Sequence, residues 1–277
     1  MVCPWVAFAD DFKIWSVFPD DSGIGLLQDD LNRIYSVSRS WNLCLNTEKC
    51  VVMHFGRGSP AEVFVDGREL SSVQSYRDLG VIVDSSLKFH NHVRLVAGKA
   101  GGLMSELLRS TLCRSEKFMM TLYTSHIRPI MDYCSCVWYT GYVGDTRLLE
   151  RVQKRWTREV QGLREMNYAD RLKRLDLFSV QGRFLRRDLI KMWQIMTGQT
   201  DHDLLGMFHF SRDLRTRGHS FKLDVPRHRT DVFSRSFSTR HIQKWNALPA
   251  MVVESSTLET FKRRLDAELG NDLFSFT

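Results

Sequence analysis

The sequence predicts an α+β fold in which short strands come first and a longer, mainly helical region follows. Residues 1–90 contain short apolar runs rich in aromatic and β-branched side chains, and turn residues separate these runs. From about residue 91 to residue 200, apolar side chains recur at helical spacing almost throughout. This change of hydrophobic period indicates a layer of strands followed by packed helices.

A β-hairpin is predicted near the amino terminus. Two apolar runs, residues 6–9 and 12–15, flank Asp10 and Asp11. Aromatic and β-branched residues favour strands, so the two aspartates are expected at the tip of the hairpin.

An amphipathic helix and four strands are predicted next. The helix extends to about residue 41, with cap residues available at Asp20, Asp21 and Ser22. The strands are predicted at residues 50–55, 62–65, 68–70 and 79–83. Asp66 and Gly67 form a strong hairpin turn signal between the second and third of these strands.

Six helices are predicted in the remainder of the chain. Five cover residues 93–108, 116–128, 147–162, 168–175 and 181–197, with Pro129 expected to end the second. Residues 201–232 show weak periodicity and are expected to be loop or irregular structure. Ser256 and Glu259 have the spacing of a capping box and predict the start of a last helix.

The helix predicted at residues 147–162 has two different faces. Its apolar stripe consists of Leu148, Leu149, Val152, Trp156 and Val160. Its basic side consists of Arg151, Lys154, Arg155 and Arg158. Such a helix can pack against a core and contact phosphate groups at the same time.

Two other residue sets have alternative interpretations. Arg183, Arg186, Arg187 and Lys191 lie near helical spacing, and either a nucleic-acid contact or a plain solvated face explains them. Tryptophans 138, 156, 193 and 245 stand among apolar residues and are predicted to lie in the core rather than to stack on bases.

The charge is unevenly distributed along the chain. Residues 91–200 carry 19 basic and 10 acidic side chains, whereas residues 1–90 carry 8 and 12. The basic middle region favours a polyanion partner, and the acidic first region favours a metal cation. The alternative is that both regions are solvated charged surface.

The cysteines and apolar runs bear on the compartment. The six cysteines are scattered and lack zinc-site spacing, so reduced thiols and an intracellular location, nucleus or cytoplasm, are expected. No apolar run approaches the roughly 20 residues of a membrane span, so no membrane partner is expected.

Asp10 and Asp11 are candidate metal ligands. Two adjacent carboxylates repel each other unless a cation or a proton joins them. Mg²⁺ binds one or two carboxylates and fills its remaining positions with water and substrate phosphates. The other Asp-Asp pairs, at residues 20–21 and 29–30, are interpreted as helix caps or solvated surface.

An ordered series of motifs resembles the reverse transcriptases of LINE-type, non-LTR retrotransposons. Residues 8–14 read FADDFKI, which is similar to the family's catalytic box. Residues 41–50, ending in Lys49 and Cys50, resemble its next motif, and YRDLGV at residues 76–81 resembles its primer-grip turn. Similar short motifs continue at residues 92–93, 128–138, 149–158 and 245–249, so the resemblance covers nearly the whole chain.

The resemblance implies an architecture and a chemistry. Residues 1–90 would be the carboxy-terminal part of a polymerase palm, residues 91–200 a helical thumb-like region and residues 201–277 a tail. Asp10 and Asp11 would hold Mg²⁺, Lys49 would lie near the incoming triphosphate, and Leu79 and Gly80 would place the primer end. The partners would be an RNA template, a DNA primer and deoxynucleoside triphosphates, with two-metal nucleotidyl transfer in the intact enzyme.

The chain also departs from the family. It begins nine residues before Asp10, whereas the family's enzymes have an earlier catalytic aspartate and fingers that bind template. A truncated RNA-directed DNA polymerase without activity of its own is therefore expected. The alternatives are a non-catalytic nucleic-acid-binding remnant of a mobile element, or a product with no selected function.

Overall fold

A computed structural model describes most of the chain in two compact units. The described residues are 1–17, 22–43, 45–56, 62–200, 202–211 and 218–276. Unit 1 is Met1–Ser86 and unit 2 is Leu87–Thr277. The predicted cap residues Asp20 and Asp21, and Cys44, lie outside the described residues.

The described residues of unit 1 form one helix and four two-stranded sheets. The helix is α1 (Ser22–Ser40), and the strands are β1 (Trp5–Phe8), β2 (Asp11–Ile14), β3 (Val51–Val52), β4 (Phe64–Val65), β5 (Arg68–Glu69), β6 (Ser71–Ser72), β7 (Ser75–Asp78) and β8 (Val81–Asp84). The pairs β1–β2, β4–β5 and β7–β8 are antiparallel, and β3–β6 is parallel. This mixture of helix and small sheets agrees with the predicted α+β class.

Two hairpins follow the sequence prediction and one strand does not. The hairpin β1–β2 is confirmed, and Asp66 and Gly67 form the turn between β4 and β5 with φ angles of 54° and 69°. The strand predicted at residues 79–83 is wrong at its start, because Leu79 and Gly80 form a turn. Its partner β7 is polar in sequence, SYRD, so no apolar alternation marked it.

The strands predicted at residues 50–55 and 62–65 are shorter than expected. Only Val51–Val52 and Phe64–Val65 have ladder partners, since each faces a strand of two residues. Val63, Val65 and Leu70 form the buried core of this part, and side chains of α1 pack against it. The amide of Gln28 on α1 also exchanges two hydrogen bonds with the backbone of Phe64, at 2.7 and 2.9 Å.

Asp30 corrects one interpretation of the sequence. It was expected as a cap or on the solvated surface, but its side chain is buried. Its carboxylate accepts hydrogen bonds from the backbone N–H groups of Val2 and Cys3 at 2.6 and 2.7 Å. The Cys3 hydrogen bond in particular holds the pKa of Asp30 below its ordinary value. Asp30 therefore anchors the start of the chain to α1.

Unit 2 is helical, and its α-helices are α2 (His90–Ser110), α3 (Glu116–Leu122), α4 (Arg128–Asp132), α5 (Ser135–Trp138), α6 (Val143–Arg158), α7 (Tyr168–Arg174), α8 (Val180–Met196), α9 (Asp231–Ser234), α10 (Ile242–Ala247), α11 (Ala250–Val253) and α12 (Leu258–Leu269). The helices predicted at residues 93–108, 168–175 and 181–197 are confirmed within a few residues. The helix predicted at 147–162 begins and ends four residues earlier. Short helices also occur within 201–232, at His202–Met207 and at the start of α9.

Pro129 does not end the helical segment that contains it. A π-helical turn, Tyr123–Ile127, joins α3 to α4, and the chain stays helical through Asp132. A proline lacks the N–H of a regular helical hydrogen bond and its ring crowds the preceding turn. A wider turn placed just before the proline relieves both problems.

The predicted capping box at the last helix is wrong in its cap residue. The hydroxyl of Thr257, and not that of Ser256, accepts the hydrogen bond from the N–H of Thr260 at 3.2 Å. The four tryptophans predicted as core are all at most 1% exposed, which confirms that prediction. No helix in the described part of the chain is long and apolar enough to cross a membrane.

Candidate functional site

The hairpin β1–β2 presents the two candidate metal ligands in different ways. Phe8 pairs with Asp11, so the turn consists of Ala9 and Asp10, and Asp11 is the first residue of β2. This corrects the expectation that both aspartates lie at the tip. Ala9 has a φ of 52°, in the left-handed region that residues with a Cβ rarely adopt. Strain of this kind often accompanies functional turns.

Asp10 and Asp11 are both exposed to solvent. Two neighbouring carboxylates fit one hydrated Mg²⁺ ion, which accepts one or two protein carboxylates and keeps several waters. Across residues 1–17, 22–43, 45–56, 62–200, 202–211 and 218–276, no three His, Cys, Asp or Glu side chains group closely enough to hold a metal.

An ion pair joins this hairpin to the hairpin β7–β8. Lys13 Nζ lies 2.5 Å from Asp78 Oδ1, and both side chains are about one-third exposed, at 38% and 31%. Asp78 is the last residue of β7 and directly precedes the turn of Leu79 and Gly80. The structure thus brings together the candidate metal-binding hairpin and the hairpin predicted to place the primer end.

The turn between β7 and β8 has two residues with positive φ. Leu79 has a φ of 43° and Gly80 a φ of 89°. Glycine adopts this conformation without a steric penalty, whereas leucine does not. Leu79 is also 41% exposed, so an apolar side chain is held outward in a strained turn.

Lys49 lies in a separate turn of unit 1. Its N–H donates to the carbonyl of Asn46 at 3.1 Å, and its side chain is exposed just ahead of β3. Within the part of the chain that the structure describes, no hydrogen bond or ion pair joins the Lys49 side chain to Asp10 or Asp11. The role predicted for Lys49 therefore stays a prediction.

In unit 2, α6 has the two faces that the sequence predicted. Leu149, Val152 and Trp156 are buried, as is Val160 just beyond the end of α6, and Leu148 is partly buried. Arg151, Lys154, Arg155 and Arg158 are all exposed. Lys154 Nζ lies 5.8 Å from the centre of the Tyr168 ring, and none of the four pairs with a carboxylate among the described residues. Four cations without acidic partners are thus available to a polyanion.

Helix α2 lies beside α6 and extends this basic surface. Arg94, Ala97 and Gly98 of α2 line a cavity of about 270 Å³ together with Leu148, Arg151 and Val152 of α6. Small residues on α2 leave this concavity open, and an arginine from each helix lines it. Sequence reasoning missed Arg94. The signal that points to it is the small-residue stretch AGKAGG at residues 97–102, which begins three residues after it.

A buried ion-pair cluster removes the other basic set from the candidate interface. Arg183 is buried and its Nε donates to Asp132 Oδ1 at 2.9 Å, while Arg187 Nη2 lies 2.6 Å from Asp132 Oδ2. Arg186 donates to Asp266 in a bidentate pair. These arginines therefore tie α8 to α4 and α12. Neither a nucleic-acid contact nor a plain solvated face describes Arg183, Arg186 and Arg187.

The chain is similar in part to proteins of mobile elements. It is 27% identical over 147 residues, 50% of the chain, to a 115 kDa protein of the type-1 retrotransposable element R1DM of Drosophila melanogaster. It is 32% identical over 92 residues, 31% of the chain, to the RNA-directed DNA polymerase from the Drosophila mobile element jockey. The chain is related to non-LTR retrotransposon proteins.

These similarities cover small parts of the relatives. The matched segments span 14% of the R1DM protein and 10% of the jockey polymerase. An uncharacterized protein of Caenorhabditis elegans is 27% identical over 137 residues, which is 48% of this chain and 65% of that protein. No protein-family model matches the chain, and no solved structure matches it.

Proposed function

We propose that this chain is the carboxy-terminal part of an RNA-directed DNA polymerase of a non-LTR retrotransposon. Residues 1–90 would belong to its palm, and the helices that follow would belong to its thumb and tail. The observation that carries the proposal is the ion pair between Lys13 and Asp78. It joins the FADDFKI hairpin to the YRDLGV hairpin, two motifs about 60 residues apart in sequence that would both act near the primer end in such an enzyme. The similarity to the jockey polymerase supports it.

Each candidate residue has a defined task in this proposal. Asp10 and Asp11 hold the metal at the exposed turn. Lys49 offers a positive charge to the triphosphate of the incoming nucleotide, where it would offset charge on the leaving phosphates. Leu79 and Gly80 contact the primer end, with RNA as template. A bound Mg²⁺ would lower the energy of the charge that develops during nucleotidyl transfer.

The 277-residue chain by itself is proposed to be inactive as a polymerase. The β1–β2 hairpin supplies two carboxylates, and no third His, Cys, Asp or Glu side chain of the described residues groups with them to hold a second ion of a two-metal site. Loss of correct positioning by about 1 Å already costs on the order of a hundredfold in rate. Primer extension by the purified chain, with loss of that activity in Asp10→Asn, would contradict this part of the proposal.

A direct test asks whether the hairpin binds a divalent ion. Fe²⁺ replaces Mg²⁺ at carboxylate sites. With added hydrogen peroxide it is oxidised to Fe³⁺ and releases hydroxide and a hydroxyl radical that cleaves the backbone nearby, and added ascorbate reduces the iron again. We expect cleavage near residues 10–11 in the wild-type chain and its loss in Asp10→Asn and Asp11→Asn. Asp29→Asn is the matched control, because Asp29 is also exposed in unit 1. Equal cleavage in all four proteins would exclude the metal site.

A second candidate function is nucleic-acid binding without catalysis, and the exposed basic face of α6 favours it. RNA binding to this face should weaken with salt, because each neutralised phosphate releases counterions. Replacing Arg151, Lys154, Arg155 and Arg158 by Gln should reduce the salt slope by about 3 for a single strand, since each contact contributes about 0.7. Fluorescence anisotropy at several salt concentrations measures this slope, and salt-independent binding would exclude the interface.

A further inference from the structure

An open cavity lies at the carboxy-terminal ends of α2 and α6. It has a volume of about 590 Å³, and residues 112–115, 158–162 and 164 line it. The N–H of Gln161 donates to the carbonyl of Arg114 at 2.9 Å and fixes these two segments against each other. The cavity is therefore a built feature of unit 2.

The charges around this cavity are unbalanced. Arg114, Arg158 and Arg164 line it, with Glu159 as the single acidic side chain in the lining. Arg158 and Arg164 are exposed and form no ion pair or hydrogen bond through their side chains within the described ranges. Three guanidinium groups around one concavity repel each other unless an anion joins them.

Arg114 is held in place at this cavity by its own hydrogen bonds. Its Nη2 donates to the carbonyl of Leu108 and its Nη1 to that of Thr111, both at 2.7 Å. It therefore caps the end of α2 while its charge remains beside the cavity. Because Arg114 is already held in place, its side chain loses little conformational entropy when a ligand binds.

The surroundings favour a phosphate ligand. Arginine presents a planar fork that matches phosphate oxygens in pairs, and it stays charged at all physiological pH values. The basic side of α6 leads into the cavity, because Arg151 and Arg155 precede Arg158 along the same helix. Arg151 and Arg158 are about 10 Å apart at the rise of an α-helix. A nucleic-acid strand on this face would thus bring a phosphate to the cavity.

We propose that this cavity binds a phosphate group, with Arg158 and Arg164 as ligands and Arg114 as a fixed neighbouring charge. The phosphate belongs either to a nucleic-acid backbone or to a free polyphosphate. The first source rests on the nucleic-acid binding proposed for α6, and the second does not.

Cys113 provides a probe inside the cavity. Its thiol is exposed, lines the cavity and lies 3.3 Å from the hydroxyl of Ser115. The hydrogen bond with Ser115 lowers the pKa of the Cys113 thiol, which raises its thiolate fraction and its reactivity. Cys134 is also exposed, lies outside the cavity and serves as an internal reference.

The experiment measures alkylation of both cysteines by iodoacetamide with mass spectrometry. Inorganic triphosphate and a single-stranded RNA are added separately, each in excess. We expect the rate at Cys113 to fall severalfold and the rate at Cys134 to stay the same. Arg164→Ala should remove the protection. Arg263→Ala is the control, because Arg263 is exposed on α12 away from the cavity.

Each outcome has a defined meaning. Protection by RNA alone assigns the backbone as source, and protection by triphosphate also admits a free polyphosphate. Absence of protection by both ligands, or full protection in Arg164→Ala, overturns the proposal. If RNA still binds by anisotropy without protecting Cys113, the cavity proposal fails and the α6 interface stands. If triphosphate protects Cys113 and RNA does not bind, the cavity proposal stands and the α6 interface fails.

Discussion

Lys13 Nζ lies 2.5 Å from Asp78 Oδ1, and this ion pair connects β2 to the end of β7. Both side chains are partly exposed, so water screens much of the attraction. An exposed ion pair typically contributes about 0–1 kcal/mol to folding stability. Its importance is therefore expected to lie in the relative position of the two hairpins rather than in the free energy of unfolding.

This view predicts a small coupling in a double-mutant cycle. Lys13→Met, Asp78→Asn and the double variant should differ by a coupling energy of at most about 1 kcal/mol in urea unfolding. Hydrogen exchange at the amides of β7 and β8 should accelerate in all three. A coupling energy well above that value would show that the pair is a main source of stability.

Leu79 is predicted to strain the turn between β7 and β8, because leucine disfavours the positive φ that it adopts there. Leu79→Asn creates the Asn-Gly sequence that two-residue hairpin turns with positive φ prefer. Removing the left-handed strain of leucine should stabilise the hairpin by about 0.5–1 kcal/mol, because that strain costs about 1–2 kcal/mol. Hydrogen exchange of the β7 and β8 amides measures the change. Slower exchange together with weaker primer binding would indicate that the Leu79 side chain contacts the primer. Faster exchange would contradict the argument that leucine strains the turn.

The carboxylate of Asp132 is predicted to be critical for unit 2. It pairs with buried Arg183, with Arg187 and with Arg128, whose Nε lies at 3.1 Å. Removing one partner of a buried pair leaves a charge without compensation and costs about 3–5 kcal/mol. Asp132→Asn should lose this amount in urea unfolding. Glu259→Gln breaks an exposed pair with Lys262 and should change little.

The same carboxylate predicts a pH dependence. Burial opposes its ionisation, but Arg183, Arg187 and Arg128 outweigh burial and hold the pKa of Asp132 below its ordinary value. A lowered pKa stabilises the folded state above the ordinary carboxyl pKa, and this contribution is lost as the pH falls below about 4. The wild-type chain should therefore lose stability on acidification more steeply than Asp132→Asn. Parallel curves for the two proteins would contradict this prediction.

Trp156 is predicted to be a main core residue of unit 2. It is fully buried, and its indole N–H donates to the carbonyl of Met119 at 3.2 Å. Trp156→Ala should cost about 3–5 kcal/mol, because it leaves a large cavity in the core; the Met119 carbonyl keeps its hydrogen bond from the N–H of Tyr123. Trp41→Ala is the matched control, since Trp41 is 73% exposed. Similar unfolding midpoints for the two variants would contradict the assignment.

Features that depend on neighbouring residues in the chain could be predicted from the sequence. The hairpin around Asp10, the Asp66-Gly67 turn, the two faces of α6 and the burial of the tryptophans all follow from local patterns. Turn conformation and the spacing of apolar side chains depend on residues only a few positions apart, so the sequence shows them directly.

Features that join distant residues were decided by tertiary structure alone. The burial of Asp30 under the amides of residues 2 and 3 is one, and the pairing of Arg183 with Asp132 is another. So are the contact of Lys13 with Asp78 and the cavity lined by residues 112–115, 158–162 and 164. The sequence alone does not show whether a charged side chain is solvated or is paired with a residue about 50 positions away. Its burial and pKa depend on the three-dimensional neighbours that folding brings to it.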